Sequence, residues 1–472
     1  EQLAGEILRV HGLPRPFPCD NYLQDEVVVV GRIVLEETTE GRELALHSVH
    51  ANTAARAFVS GTSMPYFSFL PGEIVALKGS NPNGNRFLAT AVYQPQPLPQ
   101  PRVTGDRSVA RELSIMVAAG PFTPADDLGY EPLQKLLERV RDVQPDLLIL
   151  VRRFTPRWIA INELDGLESD TIHGCQRQMG PVVDSEHPFI SSGDIDISYE
   201  ALFHEQVAEI AVRARATPSS DLVPVNRVTR GEEQHSLEGI STTVVMIPSL
   251  RDATTHITCI HSRRMLASLP LSYASKQAHV AARHPANDAL MMLLRARQSI
   301  EYFPNPAVWW VNGISVGATS VDVLKHLSAS LICKANGSDR VDRITRLVQQ
   351  VTRQQSFYPL VPPAHGVNLD SSHISNTYFH TFTPHLLLFT SDIKYFVKVH
   401  GSDTCNAIEM VLTKGDIAYA LEVDGTVCVN VSRLHKGHFA HISVHVPSIA
   451  AGSVAPANES IASYTRVDIV RL

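Results

Sequence analysis

The chain has 472 residues, 44% of them hydrophobic and 19% charged, with a formal net charge of −7. That length exceeds what a single core fills, and the composition is that of an ordinary globular protein, so two domains are expected, one of them large. A net negative chain (sequence pI about 6.3) excludes a whole-molecule electrostatic grip on nucleic acid, and six cysteines without a C-x-x-C pair exclude a zinc ribbon and a dense disulfide framework.

Residues 1–25 are expected to be an N-terminal extension: a short amphipathic opening, E-Q-L-A-G-E-I-L-R-V-H, followed by the proline-rich turn L-P-R-P-F-P. The opening lacks the form of a signal peptide, and no apolar stretch in the chain reaches the roughly 20 residues of a membrane span. A chain that starts on Glu1 rather than Met is expected to be part of a longer one.

From residue 26 to residue 93, alternating apolar runs separated by turn residues predict a small antiparallel barrel of the OB type. Strands are expected at E-V-V-V-V-G-R-I-V-L, at residues 43–49, 55–60 and 73–79, with F-L-P-G-E and N-P-N-G-N as turns. Such barrels bind single strands through stacked aromatics, and Phe58, Tyr66, Phe67, Phe69 and Phe87 are candidates for stacking. Aromatics so close to strands are more often core. Residues 94–108 carry Q-P-Q-P-L-P-Q-P-R, with proline at alternate positions, and predict an extended polyproline-type linker.

Residues 109–472 alternate strand and helix. Apolar runs at 113–120 (L-S-I-M-V-A-A-G), 147–153 (L-L-I-L-V-R-R), 243–252 (T-V-V-M-I-P-S-L-R-D), 308–317 (V-W-W-V-N-G-I-S-V-G) and 386–392 (L-L-L-F-T-S-D) predict strands covered on both faces. Leu133, Leu136, Leu137 and Val140 define one buried helix face, and a second helix over residues 199–215 presents Phe203, Val207, Ile210 and Ala211. A third, over residues 339–355, places Val341, Ile344, Leu347, Val348 and Val351 inward and leaves Arg340, Arg343, Arg346 and Arg353 mostly toward solvent. Residues 152–197 predict a long surface insertion and 216–241 a polar segment. Late strands at 427–431, 442–446 and 467–472 complete two sheets packed face to face with helices outside, an α/β sandwich like that of the metallophosphoesterases.

Metallophosphoesterase chemistry needs two cations held by acids and imidazoles from several strand ends. The ends here carry other residues. The first is V-A-A-G-P-F-T, with no acid before Asp126; the second puts Arg152 and Arg153 where ligands belong; the third is I-P-S-L-R-D, leaving Asp252 as its one acid. Gly193-Asp194-Ile195-Asp196 follows no strand and suits helix capping. In Gly437-His438-Phe439-Ala440-His441 the odd spacing sends the two imidazoles to opposite faces of a strand. No metal, cofactor or catalytic residue is therefore assigned.

Several stretches, in order, resemble one family: F-L-P-G-E-I-V-A-L-K-G-S-N-P-N-G (69–84), I-M-V-A-A-G-P-F-T (115–123), P-D-L-L-I-L (145–150), V-M-I-P-S-L-R-D (245–252), N-G-I-S-V-G-A-T-S-V-D-V-L-K-H-L (312–327), R-Q-Q-S-F-Y-P-L-V-P-P (353–363), T-P-H-L-L-L-F-T-S-D-I-K-Y-F-V-K (383–398) and V-N-V-S-R-L-H-K-G-H-F-A (429–440). They look like the B subunits of DNA polymerase α–primase. The S-L-R-D and S-F-Y-P-L-x-P-P pair is the specific part; the segments 152–197, 216–241 and 399–416 depart from the pattern, and the turn after Asn430 differs.

The resemblance implies an OB barrel docked on an inactive calcineurin-like phosphodiesterase domain, without enzymatic activity. It also implies a nuclear scaffold that binds the C-terminal domain of the polymerase catalytic subunit, and through it the primase subunits, with DNA touched indirectly. The loop edge carrying Arg152, Arg153, Arg251 and Asp252 is the expected partner contact, since guanidinium groups there suit acidic partner residues. The small subunit of a δ- or ε-type polymerase and a single-strand-binding barrel are the competing expectations.

Overall fold

The valine-rich run after the N-terminal turn becomes one long bent strand, and a barrel closes around it. In the computed structural model, the described residues are 2–39, 41–49, 55–102, 111–123, 130–151, 206–207, 209–214, 223–224, 242–248, 300–334, 343–365, 367, 369, 371–379, 381–400, 410–413, 416–420, 425–446 and 460–472. The first strands are β1 (Leu23–Thr38), β2 (Gly41–Ser48), β3 (Arg56–Ser60), β4 (Phe67–Phe69), β5 (Ile74–Asn81) and β6 (Arg86–Tyr93). All but β4 form a closed barrel in the order β1-β2-β3-β6-β5. Val29, Ile33, Leu46, Val59, Val75, Leu77 and Phe87 fill it, and Phe69 of β4 is buried with them. Helix α1 (Gln2–Val10) buries Ala4 and Ile7 on the outer wall, against Val28, Val30, Ile74 and Ala76.

The remaining strands are β7 (Arg111–Ala119), β8 (Leu147–Val151), β9 (Val223–Pro224), β10 (Thr243–Ile247), β11 (Ile300–Tyr302), β12 (Ala307–Val311), β13 (Ile314–Ala318), β14 (Ile332–Lys334), β15 (Leu386–Phe389), β16 (Phe396–His400), β17 (Met410–Thr413), β18 (Asp416–Ala420), β19 (Thr426–Asn430), β20 (His438–Val446) and β21 (Thr465–Arg471). They form an eight-stranded sheet, β11-β10-β8-β7-β20-β21-β18-β17, and a six-stranded sheet, β16-β19-β15-β13-β12-β9. Between the sheets lies one apolar layer including Ile115, Val117, Ile149, Val245, Trp309, Val316, Leu388, Val429 and Ile442. Helix α2 (Glu131–Val143) covers the outer face of the first sheet with Leu133, Leu136, Leu137 and Val140, joined by the helical segment carrying Val207, Ile210 and Ala211. Helices α3 (Val323–Ser330) and α4 (Arg343–Arg353) cover the second. The two-sheet α/β sandwich expected from the strand pattern is the architecture observed.

Two expectations need correction. The run over 308–317 is not one strand but the hairpin β12–β13, antiparallel from Ala307↔Ala318 to Val311↔Ile314. Asn312 and Gly313 make its turn with φ of 47° and 77°, the left-handed pair that a two-residue hairpin loop requires and that Asn-Gly supplies at least strain. Helix α4 is also buried more widely than its apolar stripe predicts: Thr345, Gln350 and Thr352 are buried beside Leu347, Val348 and Val351. Arg353, expected toward solvent, donates from Nη1 to Gln94 Oε1 at 2.7 Å in a part-buried position. The barrel and linker cover the face that would be wet on the sandwich alone. Of the expected insertion at 152–197 nothing lies within the described residues, and of 216–241 only β9 does.

The described part of the linker, residues 94–102, is tied down. Pro95, Pro97, Pro99 and Pro101 have no N–H to offer a sheet, and the segment is held largely through its carbonyls. Gln94 O receives His11 Nε2 (2.9 Å), Gln96 O receives Gln355 Nε2 (3.1 Å), Leu98 O receives Thr383 Oγ1 (2.8 Å) and Pro101 O receives His385 Nε2 (2.9 Å).

Candidate functional site

Parallel pairing sets the strand ends side by side. Ala119 of β7 stands opposite Val151 of β8, which stands opposite Ile247 of β10. In the other sheet β13, β15 and β19 are parallel, with Phe389 opposite Asn430. The chain leaves both sheets at one edge, where an open α/β sheet gathers its chemistry. There, Ser320 Oγ donates to Pro248 O across the sheets at 2.7 Å.

The charged centre of that edge is Arg433, just after β19, with its side chain only 7% exposed. Its Nη1 donates to Gly120 O at the end of β7 (3.0 Å) and its Nε to Asp392 Oδ1 after β15 (2.8 Å), while Nη2 stands 3.8 Å from Asp322 Oδ2. Asp322 is fully used: Oδ1 caps α3 through Lys325 N and accepts from Ser391 Oγ, and Oδ2 accepts from Asp392 N at 2.9 Å. Asn430 fixes the neighbouring loop, accepting from Ser391 N and donating to Ile393 O and Lys394 O. Burial alone would raise the Asp392 carboxyl, but Arg433, with Lys325 and Lys436 behind it, holds it down at about 2. The cluster is an internally neutralised knot: a buried guanidinium spans the ends of both sheets, and each nearby carboxylate is already spoken for. Among the described residues no three His, Cys, Asp or Glu side chains converge as a metal site.

The second constellation is the seam between barrel and sandwich. Strand β4 pairs with β14, Ile332 opposite Phe69, and Lys334 Nζ donates to Thr62 O and Met64 O. The turn residues 69–73 seat against residues 356–363: Val361 N donates to Pro71 O at 3.0 Å. Gly72 has φ of +100°, and a Cβ there would fall 2.5 Å from Val361 N and 2.7 Å from Pro359 O, so the turn meets the loop backbone to backbone. Two of the stretches that carry the resemblance, F-L-P-G-E and S-F-Y-P-L-V-P-P, are thus the two halves of one joint.

The expected contact residues Arg152, Arg153, Arg251 and Asp252 lie outside the described residues, as do Asp194 and Asp196; the described strands that lead to them end at Val151 and Ile247. His438 and His441 diverge as their spacing predicts: His438 packs on the Tyr395 ring at 4.8 Å, and His441 shares a 2.8 Å hydrogen bond with Ser114 Oγ. Of the barrel aromatics, Phe69 and Phe87 are core and Phe67 is half-buried against Phe69; Tyr66 is 59% exposed. Five basic side chains on the barrel are paired with acids: Lys78 with Glu26, Arg56 and His47 with Glu36, Arg42 with Glu37, Arg86 with Glu43.

A family model for the OB domain of the DNA polymerase alpha B subunit matches residues 1–95, and one for the DNA polymerase alpha/epsilon B subunit matches residues 178–398. This chain belongs to the family of DNA polymerase alpha B subunits. Relatives carrying that name include a Rattus norvegicus protein, 22% identical over 93% of this chain and 57% of its own length, and a Schizosaccharomyces pombe protein, 27% identical over 79% and 55%. A Caenorhabditis elegans member is 23% identical over 95% of this chain and 60% of its own. The chain therefore spans little more than half the length of each of these relatives. The crystal structure of a Thermus thermophilus protein aligns with 70% of this chain and 94% of its own at 9% identity and a TM-score of 0.23.

For this member of the B-subunit family, Asp322, Ser391, Asp392 and Arg433 were not singled out by the sequence as site residues, although each lies in a stretch that carries the resemblance. One signal was present: T-S-D after the apolar run of β15, at a strand end. Nothing in the sequence marks Arg433 as the partner of both acids, because they are separated from it by 41 residues and more.

Proposed function

We propose that this chain is a non-catalytic scaffold of DNA polymerase α–primase. It docks the C-terminal domain of the polymerase catalytic subunit, links it to the primase subunits, and so supports primer synthesis at replication initiation in the nucleus. The sandwich is an inactive phosphodiesterase-like domain, and Arg152, Arg153, Arg251 and Asp252 contribute to the partner contact. The single observation that supports the non-catalytic reading most directly is the Arg433 knot: at the shared strand-end edge Asp392 and Asp322 are engaged by a buried guanidinium, which also holds Gly120 O, so these carboxylates are not free to hold a cation. A rigid shape with shaped loops and no chemistry suits partner docking.

Affinity purification of the tagged protein from its native cells, with mass spectrometry of the bound proteins, tests the assignment. Recovery of the α catalytic subunit and both primase subunits is the expected outcome; recovery of a δ- or ε-type catalytic subunit instead would overturn it. Metal analysis with a generic phosphodiester assay tests the inactivity separately. Stoichiometric manganese with turnover lost in Asp252→Ala would show an enzyme.

A further inference from the structure

Glu73 closes the barrel turn at the seam and is fully buried. Its Oε2 accepts from Leu70 N at 3.2 Å, and its backbone is pinned to β1, Glu73 O receiving Ile33 N at 2.8 Å. Around the carboxyl stand the amides of Gln94, from the linker, and Gln350, from α4; the charged group facing it is Arg353, also of α4. That guanidinium donates to Gln94 Oε1. No well-aligned hydrogen bond reaches Glu73 Oε1 or Gln350 Oε1, both of them buried, although the Gln94 and Gln350 amides lie close enough to pull on the carboxyl. Each unpaired buried acceptor costs roughly 1–3 kcal/mol, and a hydrogen on the carboxyl supplies the donor the pair lacks.

We propose that Glu73 is held as the neutral acid at neutral pH, its hydroxyl donating to the Gln350 carboxamide, so that losing this proton in mildly alkaline solution loosens the seating of the barrel on the sandwich. The group is a proton-operated latch on an interdomain joint, distinct from the strand-end knot and independent of the function proposed above. Burial pushes the Glu73 carboxyl up to about 8 from 4.5, against the opposing pull of Leu70 N–H, Gln94, Arg353 and Gln350. The folded value lies above the unfolded one, so the folded state binds the extra proton. The stabilisation is complete below about pH 4.5, declines as pH rises, and is gone above about pH 8.

Infrared spectroscopy of the full chain carrying carboxyl-labelled glutamate, with unfolding and amide exchange followed across this range, tests the latch in wild type and Glu73→Gln. A protonated-carboxyl band present at neutral pH, fading with a midpoint near 8 and missing from E73Q, is expected. Between about pH 5 and 7.5 the wild-type folding constant should fall roughly tenfold per pH unit relative to E73Q, and exchange at Ile74 and Val361 should quicken beyond the intrinsic base-catalysed rise. Absence of the band at neutral pH, which would mean Gln350 donates to an ionised Glu73, overturns the proposal. So does an identical alkaline loss in both proteins. Should E73Q fail to fold, the wild-type band alone decides.

Discussion

The side-chain amide of Gln354 pairs with both backbone polar groups of Ile74, Oε1 accepting from Ile74 N at 2.9 Å and Nε2 donating to Ile74 O at 3.2 Å. A glutamine from the end of α4 thereby acts as one more strand residue for the barrel, 280 positions away in sequence. Gln354→Leu leaves a buried N–H and a buried C=O unpaired. The expected loss is about 2 kcal/mol or more. Denaturant unfolding of the full chain measures it, and an unchanged midpoint would mean water or a shifted neighbour takes the place of the amide.

Gly72 gives the second prediction. Its φ of +100° suits glycine alone, and the space a Cβ would need is held by Val361 N and Pro359 O, which are backbone atoms and cannot swing away. Gly72→Ala should therefore undock the turn, with a loss above about 2 kcal/mol from strain and contact together. Limited proteolysis around residues 356–363 should accelerate in the variant; Gly12→Ala, positive in φ but with open space around it, is the control expected to leave that loop protected.

Arg433 gives the third. Removing it strands Asp322 and Asp392 beside each other and leaves Gly120 O without its donor. Breaking a buried pair typically costs 3–5 kcal/mol, and Asp392, a third open to solvent, places Arg433→Ala near ~3 kcal/mol. Arg433→Lys should recover only part of this, because one ammonium cannot reach the carbonyl and the carboxylate with a fixed fork. Equal stability of wild type and Arg433→Lys in thermal unfolding would show that the fork geometry is immaterial.

His385 sets an acid limit on the docking of the linker. Its Nδ1 accepts from Ser315 N at 3.0 Å, which leaves Nε2 as the donor to Pro101 O, so the ring must be neutral to make both bonds. Burial pulls it down to about 4 from 6.5. With the folded value below the unfolded one, the stabilisation is complete above about pH 6.5 and is lost as pH falls toward 4. Unfolding of His385→Gln across this range should lack that part of the slope. A variant slope matching wild type would place the acid sensitivity elsewhere.

Local pattern was enough for much of this molecule. Alternation at β1, β2 and β5 announced a barrel, and the 3.6-residue stripe of Leu133, Leu136, Leu137 and Val140 announced α2, because burial on one face leaves a period in the sequence. The unbroken runs of β8, β10 and β15 likewise announced strands covered on both sides. The hairpin at Asn312-Gly313 was missed although its turn pair stands in the sequence, because the apolar residues on either side read as one continuous strand.

What only the tertiary structure decided are the pairings between distant segments. Asp322, Asp392 and Arg433 read singly as an N-cap, a strand end and a loop cation, and they become a knot only because parallel strands of two sheets finish at one edge. Arg353, Gln354 and Gln350 look like the polar side of a surface helix until the barrel lands on them. Hydrophobic periodicity reports whether a face is covered by apolar neighbours; it is silent where polar groups are buried by satisfying one another, and the joint between barrel and sandwich is made of such groups.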